Sequence, residues 1–225
     1  MNKTMLLAAT AVLGLTAGGA IAASHPGVVA KTTHVAPIQS PGKTLYSQNS
    51  NFLSQSLVSD NFTSGTFGSY SDAGADDFVV PAGKKWKVTG VDVTGLYSNC
   101  TAGVNCGPAT SEVITFYKDA KGVPGAVVNS QTVNCTDSSG SFACKISAVS
   151  LKGGTKGKTY WVSVAANMNF QTAREWYWTL TSIHGNQAEW ENPGGGFAVC
   201  PTWGTNGACL GYSGDYAFDL KGKGG

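Results

Sequence analysis

Six cysteines, grouped in three couples that are close along the chain, constrain the fold of this sequence most. An even number of cysteines in an exported chain is typical of disulfide bonds, and six cysteines allow fifteen pairings. Because each couple flanks a short Gly-, Asn- or Ser-containing stretch, we predict three local bonds: Cys100–Cys106, Cys135–Cys144 and Cys200–Cys209. The alternative, a zinc site, lacks the C-x2-C spacing and the histidines that such sites use.

The first 22 residues have the pattern of a signal peptide. A polar start with Lys3 precedes an apolar run that ends near Ile21, and small residues at Ala20 and Ala22 fit a cleavage site. A membrane anchor is the alternative, but the run is shorter than the ~20 apolar residues that span a bilayer, and it contains glycines. We therefore expect a secreted, extracellular protein with no membrane span in its mature form.

Residues 23–43 contain three prolines and no sustained period, which predicts an extended leader before a domain at 44–225. Within this leader, residues 27–30 have the composition of a strand that could add to another subunit. Self-association through residues 23–43 is therefore a further prediction.

The charge pattern argues against polyanionic partners. Only 12% of the residues are charged, the net charge is +2, and Arg174 is the only arginine. Since the chain has no basic cluster, no nucleic-acid partner is expected. Many Gly, Ser, Thr and Asn residues indicate tight turns and neutral polar surfaces.

From Thr44 onward the sequence predicts short strands separated by Gly-, Pro- and Asn-containing turns, and no stretch has a sustained helical period. Gly90 and Gly95 interrupt one strand and are predicted bulges. This pattern predicts an all-β, two-sheet antiparallel β-sandwich that is jelly-roll-like. The predicted strands lie at residues 75–81, 86–97, 111–119, 126–135, 142–151, 159–167, 175–182, 188–191 and 216–220.

Several spaced motifs occur together: ADDFVVPAG at 75–83, TFYKD at 115–119, GVPGAVV at 122–128, YWVSVAANM at 160–168 and WENPGGGF at 190–197. In this combination and order the chain resembles a group of bacterial exported β-sandwich modules, over residues 45–222. The resemblance implies a jelly-roll-like, non-catalytic module of the kind that occurs alone or attached to secreted proteases and surface proteins. It implies no active-site residues.

The residues themselves predict no enzyme. His184 is the only histidine after the leader, and Ser213 lies in GYSGD, which lacks the G-x-S-x-G spacing of a hydrolase elbow. Glu189 and Glu191 flank Trp190 at strand spacing and would share one face. This is a weak glycosidase signal, and a solvated strand edge explains it as well.

Aromatic residues near the C-terminal end are the predicted ligand-binding feature. Rigid rings stack on sugars at little cost in entropy. The alternative is that the rings fill the core, least so for Trp203, which lies inside the Cys200–Cys209 loop. The candidate ligand-binding residues are Trp176, Trp178, Trp190, Trp203, Glu189 and Glu191.

No cofactor is predicted, apart from a structural calcium ion as an open alternative. Adjacent Asp76 and Asp77 point to opposite faces of a strand, so at least one needs water, a hydrogen bond or a cation. The candidate calcium ligands are Asp76, Asp77, Asp215 and Asp219.

Taken together, these features predict a secreted binding or adhesion module for extracellular polysaccharide or cell-surface material. Few charges and many small polar residues suit neutral polyol ligands. A structural, self-associating matrix or filament protein is the alternative, and a secreted hydrolase is a third.

Overall fold

The computed structural model describes residues 26–32, 36–63, 65–100 and 106–225 of the 225-residue chain. The predicted signal peptide at 1–22 lies outside the described residues, as do positions 23–25 and 33–35 of the predicted leader. Among the residues that are described, no helix is long and apolar enough to cross a membrane.

The regular secondary structure of the described residues is mainly β-strand, with one short 3-10 helix at Gly68–Tyr70 and one short α-helix, α1, at Asn206–Leu210. The strands are β1 (Val29–Lys31), β2 (Lys43–Ser47), β3 (Phe52–Val58), β4 (Asp60–Phe62), β5 (Ala73–Val80), β6 (Lys85–Val93), β7 (Gly95–Ser98), β8 (Glu112–Asp119), β9 (Pro124–Val133), β10 (Thr136–Ser138), β11 (Ser141–Lys152), β12 (Lys158–Met168), β13 (Glu175–Thr181), β14 (Glu189–Glu191), β15 (Gly204–Thr205), β16 (Asp215–Tyr216) and β17 (Phe218–Gly224).

These strands form three hydrogen-bonded sheets, which we call the first, second and third ladders. The first has the order β1-β3-β13-β16, with β7 also paired to β13, and the second has the order β10-β11-β6-β17-β2. The third has the order β15-β14-β5-β12-β8-β9, with β4 paired to β12. Pairing is antiparallel in this part of the chain except between β4 and β12.

Single residues connect the first two ladders. Strand β6 continues into β7 through Thr94, and β16 continues into β17 through Ala217. At this bend the N–H of Thr94 donates to the carbonyl of Ala217 (3.2 Å), and the N–H of Ala217 donates to the carbonyl of Thr179 (2.9 Å). Because hydrogen bonding continues through the bend, the two ladders form one bent layer that packs against the third. The predicted all-β sandwich is confirmed.

The predicted irregularity at Gly90 coincides with a shift of register. Gly90 pairs with Lys221, whereas Val88 pairs with Gly222, so β6 carries an extra residue between them. The inward alternation of β6 therefore changes phase at this point. Trp86 and Val88 are buried before the bulge, and Val91 and Val93 are buried after it.

Large aromatic side chains fill the space between the layers. Trp178 stacks on Tyr216 with ring centroids 4.5 Å apart, and Phe142 stacks on Trp176 at 4.9 Å. A glycine at position 95 is required by this packing, because a Cβ there would lie 2.6 Å from the Trp176 indole. Side chains of this size dominate the energetics of a core.

All three predicted disulfide bonds are present: Cys100–Cys106, Cys135–Cys144 and Cys200–Cys209. The third encloses β15 and most of α1, and the Thr205 hydroxyl caps α1 by accepting from the N–H of Ala208 (3.2 Å).

Part of the predicted leader belongs to the domain. Strand β1 pairs with β3, with Val29 opposite Leu57, and Ala30 is buried. The segment that was predicted to add to another subunit therefore pairs within its own chain.

Candidate functional site

Three of the four predicted ligand-binding tryptophans lie in the interior, so that part of the prediction is wrong. Trp176, Trp178 and Trp190 are fully buried. Each indole N–H donates to a backbone carbonyl, that of Gly140 (2.7 Å), Ala217 (2.9 Å) and Val58 (3.0 Å) respectively. Strand β13 is buried at every position because other elements cover both of its faces.

Trp203 differs, because its side chain remains partly exposed. Its ring packs edge-to-face against Tyr117 of β8, with centroids 5.8 Å apart and an interplanar angle of 76°. Trp203 immediately precedes β15, inside the loop that the Cys200–Cys209 bond closes. The disulfide bond and the contact with Tyr117 therefore both restrain the indole.

The predicted carboxylates lie on the same face as this aromatic pair. In β14, Glu189 pairs with Ala75 and Glu191 pairs with Ala73 of β5, so both glutamates project from the outer face of the third ladder. Glu189 and Trp190 pair with Thr205 and Gly204 of β15, and Trp203 immediately precedes that strand.

Small side chains form the floor beside the two glutamates. Ala75 pairs with Ser163 of β12, which in turn pairs with Thr115 of β8. We call Tyr117, Glu189, Glu191, Trp203 and this floor the carboxyl–aromatic face.

Burial perturbs both glutamates on this face. Glu189 is almost fully buried, and its Oε2 has no hydrogen-bond partner. Burial raises the pKa of Glu189 to about 7 and the pKa of Glu191 to about 7. The expectation of a solvated strand edge with ordinary acids was therefore wrong, because β14 is paired on both sides, by β5 and β15.

Glu191 also lines an open groove. Burial raises the pKa of the Tyr117 phenol, a hydrogen bond with Thr115 lowers it, and the charge of Glu191 raises it further. Glu191 lines a groove of about 470 Å³ together with Asn61, Asp72 and Pro193. The groove supplies space for a polar ligand beside Glu191.

Asp72 is the least expected acid in this groove, since no sequence pattern pointed to it. Its Oδ1 accepts from the Trp190 indole N–H (3.2 Å), whereas its Oδ2 has no hydrogen-bond partner. Burial raises the pKa of Asp72 well above its ordinary value, and the charge of Glu175 raises it further. The neighbouring Asp60 is affected in the same way, by burial and by the charges of Asp72 and Glu175.

The four aspartates predicted to bind calcium do not form one site. The carboxylate of Asp76 accepts from the Gln48 amide (2.7 Å), and that of Asp77 accepts from the Asn186 amide (2.9 Å). Asp215 accepts from two backbone N–H groups, those of His184 (2.5 Å) and Ala188 (3.0 Å). Asp219 lies instead beside Lys221 on the second ladder. Protein donors thus hold the first three carboxylates as structural ties between loops and strands.

Within the described part of the chain, one group of three ligand-type side chains has its atoms within 4.8 Å of one another: Glu112, Cys135 and Cys144. Because Cys135 and Cys144 form a disulfide bond, their sulfurs are not thiolate ligands. Glu112 instead accepts from the Cys135 N–H (2.9 Å), which anchors this disulfide loop.

A second cavity, of about 680 Å³, lies beside β7. Leu96, Tyr97 and Pro108 line it together with Asp137 and the serines of the β10–β11 turn. The Tyr97 hydroxyl donates to Asp137 (2.8 Å) and accepts from the Ala109 N–H (2.8 Å). The hydroxyl of Tyr97 is therefore already hydrogen-bonded within the protein. The carboxyl–aromatic face is the stronger candidate, because Oε2 of the buried Glu189 has no hydrogen-bond partner there.

Comparison of the chain with known protein families, with curated protein sequences and with solved structures found no match. The fold and the site define the chain as a disulfide-bonded, all-β sandwich protein with acids and aromatic rings on one outer face.

Proposed function

We propose that this chain is an exported, non-catalytic binding or adhesion protein that recognises extracellular polysaccharide or cell-surface material through its carboxyl–aromatic face. The observation that carries the proposal is the pair of Tyr117 and Trp203, held edge-to-face on the sheet face from which Glu189 and Glu191 project. A partly exposed indole offers a flat apolar surface to a sugar ring. Carboxyl groups next to it accept hydrogen bonds from sugar hydroxyls.

Restraint of the indole supports this reading. A binding residue that is already fixed loses little conformational entropy when the ligand arrives. Trp203 is fixed by the Cys200–Cys209 loop and by its contact with Tyr117. Disulfide bonds of this kind also fit an oxidising, extracellular compartment.

The test is retention on insoluble polysaccharides, such as cellulose, chitin and peptidoglycan, together with affinity electrophoresis in soluble glucans. We expect the mature protein to be retained on at least one of them, and Trp203→Ala to weaken its affinity at least tenfold. Tyr212→Ala is the matched control, since Tyr212 is a partly exposed aromatic residue in a different groove, beside β1 and β3. Retention that survives Trp203→Ala, or no retention at all, would contradict the proposal.

A second candidate function is glycoside hydrolysis, and one observation favours it. Glu189 and Glu191 project from the same strand face, and burial raises the pKa of each to about 7. Glycosidases keep one carboxyl protonated near neutral pH as the general acid and use a second carboxylate as nucleophile or base. Release of reducing ends from a retained polysaccharide, abolished by Glu191→Gln while retention persists, would establish this activity in place of simple binding.

Self-association is the remaining alternative. Since β1 pairs with β3 of its own chain, the strand predicted for donation to another subunit is already used. Light scattering over a range of concentrations tests it, and a rise in mass that disappears when residues 23–43 are removed would favour a structural role.

A further inference from the structure

Lys221 is buried on the outer face of β17, between two carboxyl groups. Its Nζ lies 3.8 Å from Oδ2 of Asp92 and 3.7 Å from Oδ2 of Asp219, and all three side chains are almost fully buried. The Lys221 amine donates a hydrogen bond to the Thr44 hydroxyl (2.9 Å). Both distances to the carboxyls exceed the 2.7–2.9 Å of a charge-assisted hydrogen bond.

This arrangement is not that of a satisfied salt bridge. Neither carboxyl oxygen of Asp219 has a hydrogen-bond partner, although the residue is buried. A buried charge without short hydrogen bonds is costly. A reaction that removes both a positive and a negative charge from this place would relieve that cost.

We propose that Lys221 and Asp92 condense to an isopeptide bond that links β17 covalently to β6. The lone pair of the neutral Lys221 amine attacks Cγ of the protonated Asp92 carboxyl, and a C–N bond forms. The carboxylate of Asp219 accepts the proton that the nitrogen loses and passes it to the departing hydroxyl. The C–O bond then breaks and one water molecule leaves. No oxidant, reductant or further reactant is required.

Asp92 is the acceptor because its carboxyl is already oriented. The N–H of Ser40 donates to Oδ2 (2.9 Å), and the Ser40 hydroxyl donates to Oδ1 (2.6 Å). Donors aimed at a carboxyl oxygen stabilise the negative charge that develops on it during attack. Burial also raises the pKa of Asp92, in spite of these two bonds, which favours the protonated form that reacts.

Asp219 is the proton carrier because its oxygens are unoccupied and because it is directly opposite Asp92 in the pairing of β17 with β6. Gly90, opposite Lys221, leaves space for the three side chains. A Cβ at position 90 would lie 3.1 Å from the Ser40 hydroxyl and 3.3 Å from Cβ of Lys221.

Strand β17 is paired with β6 on one side and β2 on the other. A covalent bond to β6 would prevent it from detaching under mechanical load or during proteolysis. Such protection suits a protein that works outside the cell.

The test is mass spectrometry of the purified exported protein after its disulfides are reduced and alkylated. We expect the peptides that contain Asp92 and Lys221 to appear as one linked species, lighter by one water molecule than their sum. The exposed neighbour Lys223 provides the matched control, since Lys223→Arg keeps the link and Lys221→Arg abolishes it. Asp92→Asn should form the link with loss of ammonia instead of water, and Asp219→Ala should leave the peptides separate.

Unlinked peptides in the wild-type protein would overturn the proposal and leave Lys221 as an ion-pair partner. A link that maps to Asp219 in place of Asp92 would overturn the assignment of acceptor and proton carrier. Both outcomes are read from the wild-type protein, so they do not depend on whether a variant folds.

Discussion

The two outer faces of the sandwich use the same chemistry to different ends. On the second ladder, Asp92 and Asp219 lie beside Lys221, and Ser40 donates two hydrogen bonds to Asp92. On the third ladder, Glu189 and Glu191 lie beside the Tyr117–Trp203 pair. Both faces carry two acidic side chains, but a lysine accompanies them on only one.

A buried acid is accommodated differently on the two faces. On the second ladder the amine of Lys221 lies between Asp92 and Asp219, and all three side chains are closed off from solvent. On the third ladder the acids lie on the same face as aromatic rings, burial raises the pKa of both, and Glu191 lines an open groove. A face on which acids and aromatic rings border an open groove is the one suited to an external ligand.

Removal of the lysine should have the largest effect on stability. We expect Lys221→Met to lower the free energy of unfolding by about 3–5 kcal/mol at pH 7, because it removes the amine that holds Asp92, by the proposed link or by an ion pair, and leaves a buried carboxyl cluster without a basic partner. Urea denaturation followed by tryptophan fluorescence measures the change. Lys223→Met, at an exposed position of the same strand, should change it by less than about 0.5 kcal/mol. Equal effects of the two substitutions would mean that the cluster is not a closed structural unit.

Two of the disulfide bonds close loops of equal size, with a sequence separation of 9 each, so one can serve as the control for the other. Replacing either pair with serines should lower the free energy of unfolding by about 2–3 kcal/mol. Only the loss of Cys200–Cys209 should also weaken polysaccharide retention, because that bond holds Trp203. Loss of retention in the Cys135–Cys144 variant as well would show that retention reports general stability and not this face.

The acids of the open face should make stability depend on pH. Burial raises the pKa of Glu189 from its ordinary value near 4.5 to about 7, so the folded state holds a proton that the unfolded state releases. This contribution is fully present below about pH 4.5 and is lost as the pH rises through 7. Glu189→Gln should therefore raise the free energy of unfolding by about 1 kcal/mol at pH 8 relative to wild type, and have no such effect at pH 4.5. Denaturation curves at the two pH values measure it. An equal increase in the free energy of unfolding at both pH values would contradict a raised pKa of Glu189 in the folded state.

Much of the fold could be predicted because it depends on local patterns. The strand predicted at 175–182 is observed at Glu175–Thr181, and that at 111–119 is observed at Glu112–Asp119. The disulfide pairing was predictable for the same reason, since each bond joins cysteines that are close along the chain.

The candidate site was only partly predictable, because burial depends on distant segments. Alternation along β13 cannot reveal that both of its faces are covered, so Trp176 and Trp178 resembled surface residues as much as core residues. The two-residue strand β15 gives no pattern of its own, yet it is what converts Glu189 from an edge residue into a buried one. The partner of Asp92 is Ser40, which lies 52 positions away in the predicted leader.

The smallest expected effect on stability concerns Trp203, and it divides the tryptophans of the interior from the one on the open face. Trp203→Ala should lower the free energy of unfolding by about 1 kcal/mol, the scale of a single edge-to-face aromatic contact. Trp178→Ala, by comparison, should lower it by about 3–5 kcal/mol, because that ring is fully buried and stacks on Tyr216. Urea denaturation of the two variants measures both values.

If Trp203→Ala were as destabilising as Trp178→Ala, the Trp203 indole would be a structural residue that covers Glu189, and a ligand could reach the acids only after the loop had moved. A small loss of stability combined with a large loss of retention is the result that a ligand-binding tryptophan requires.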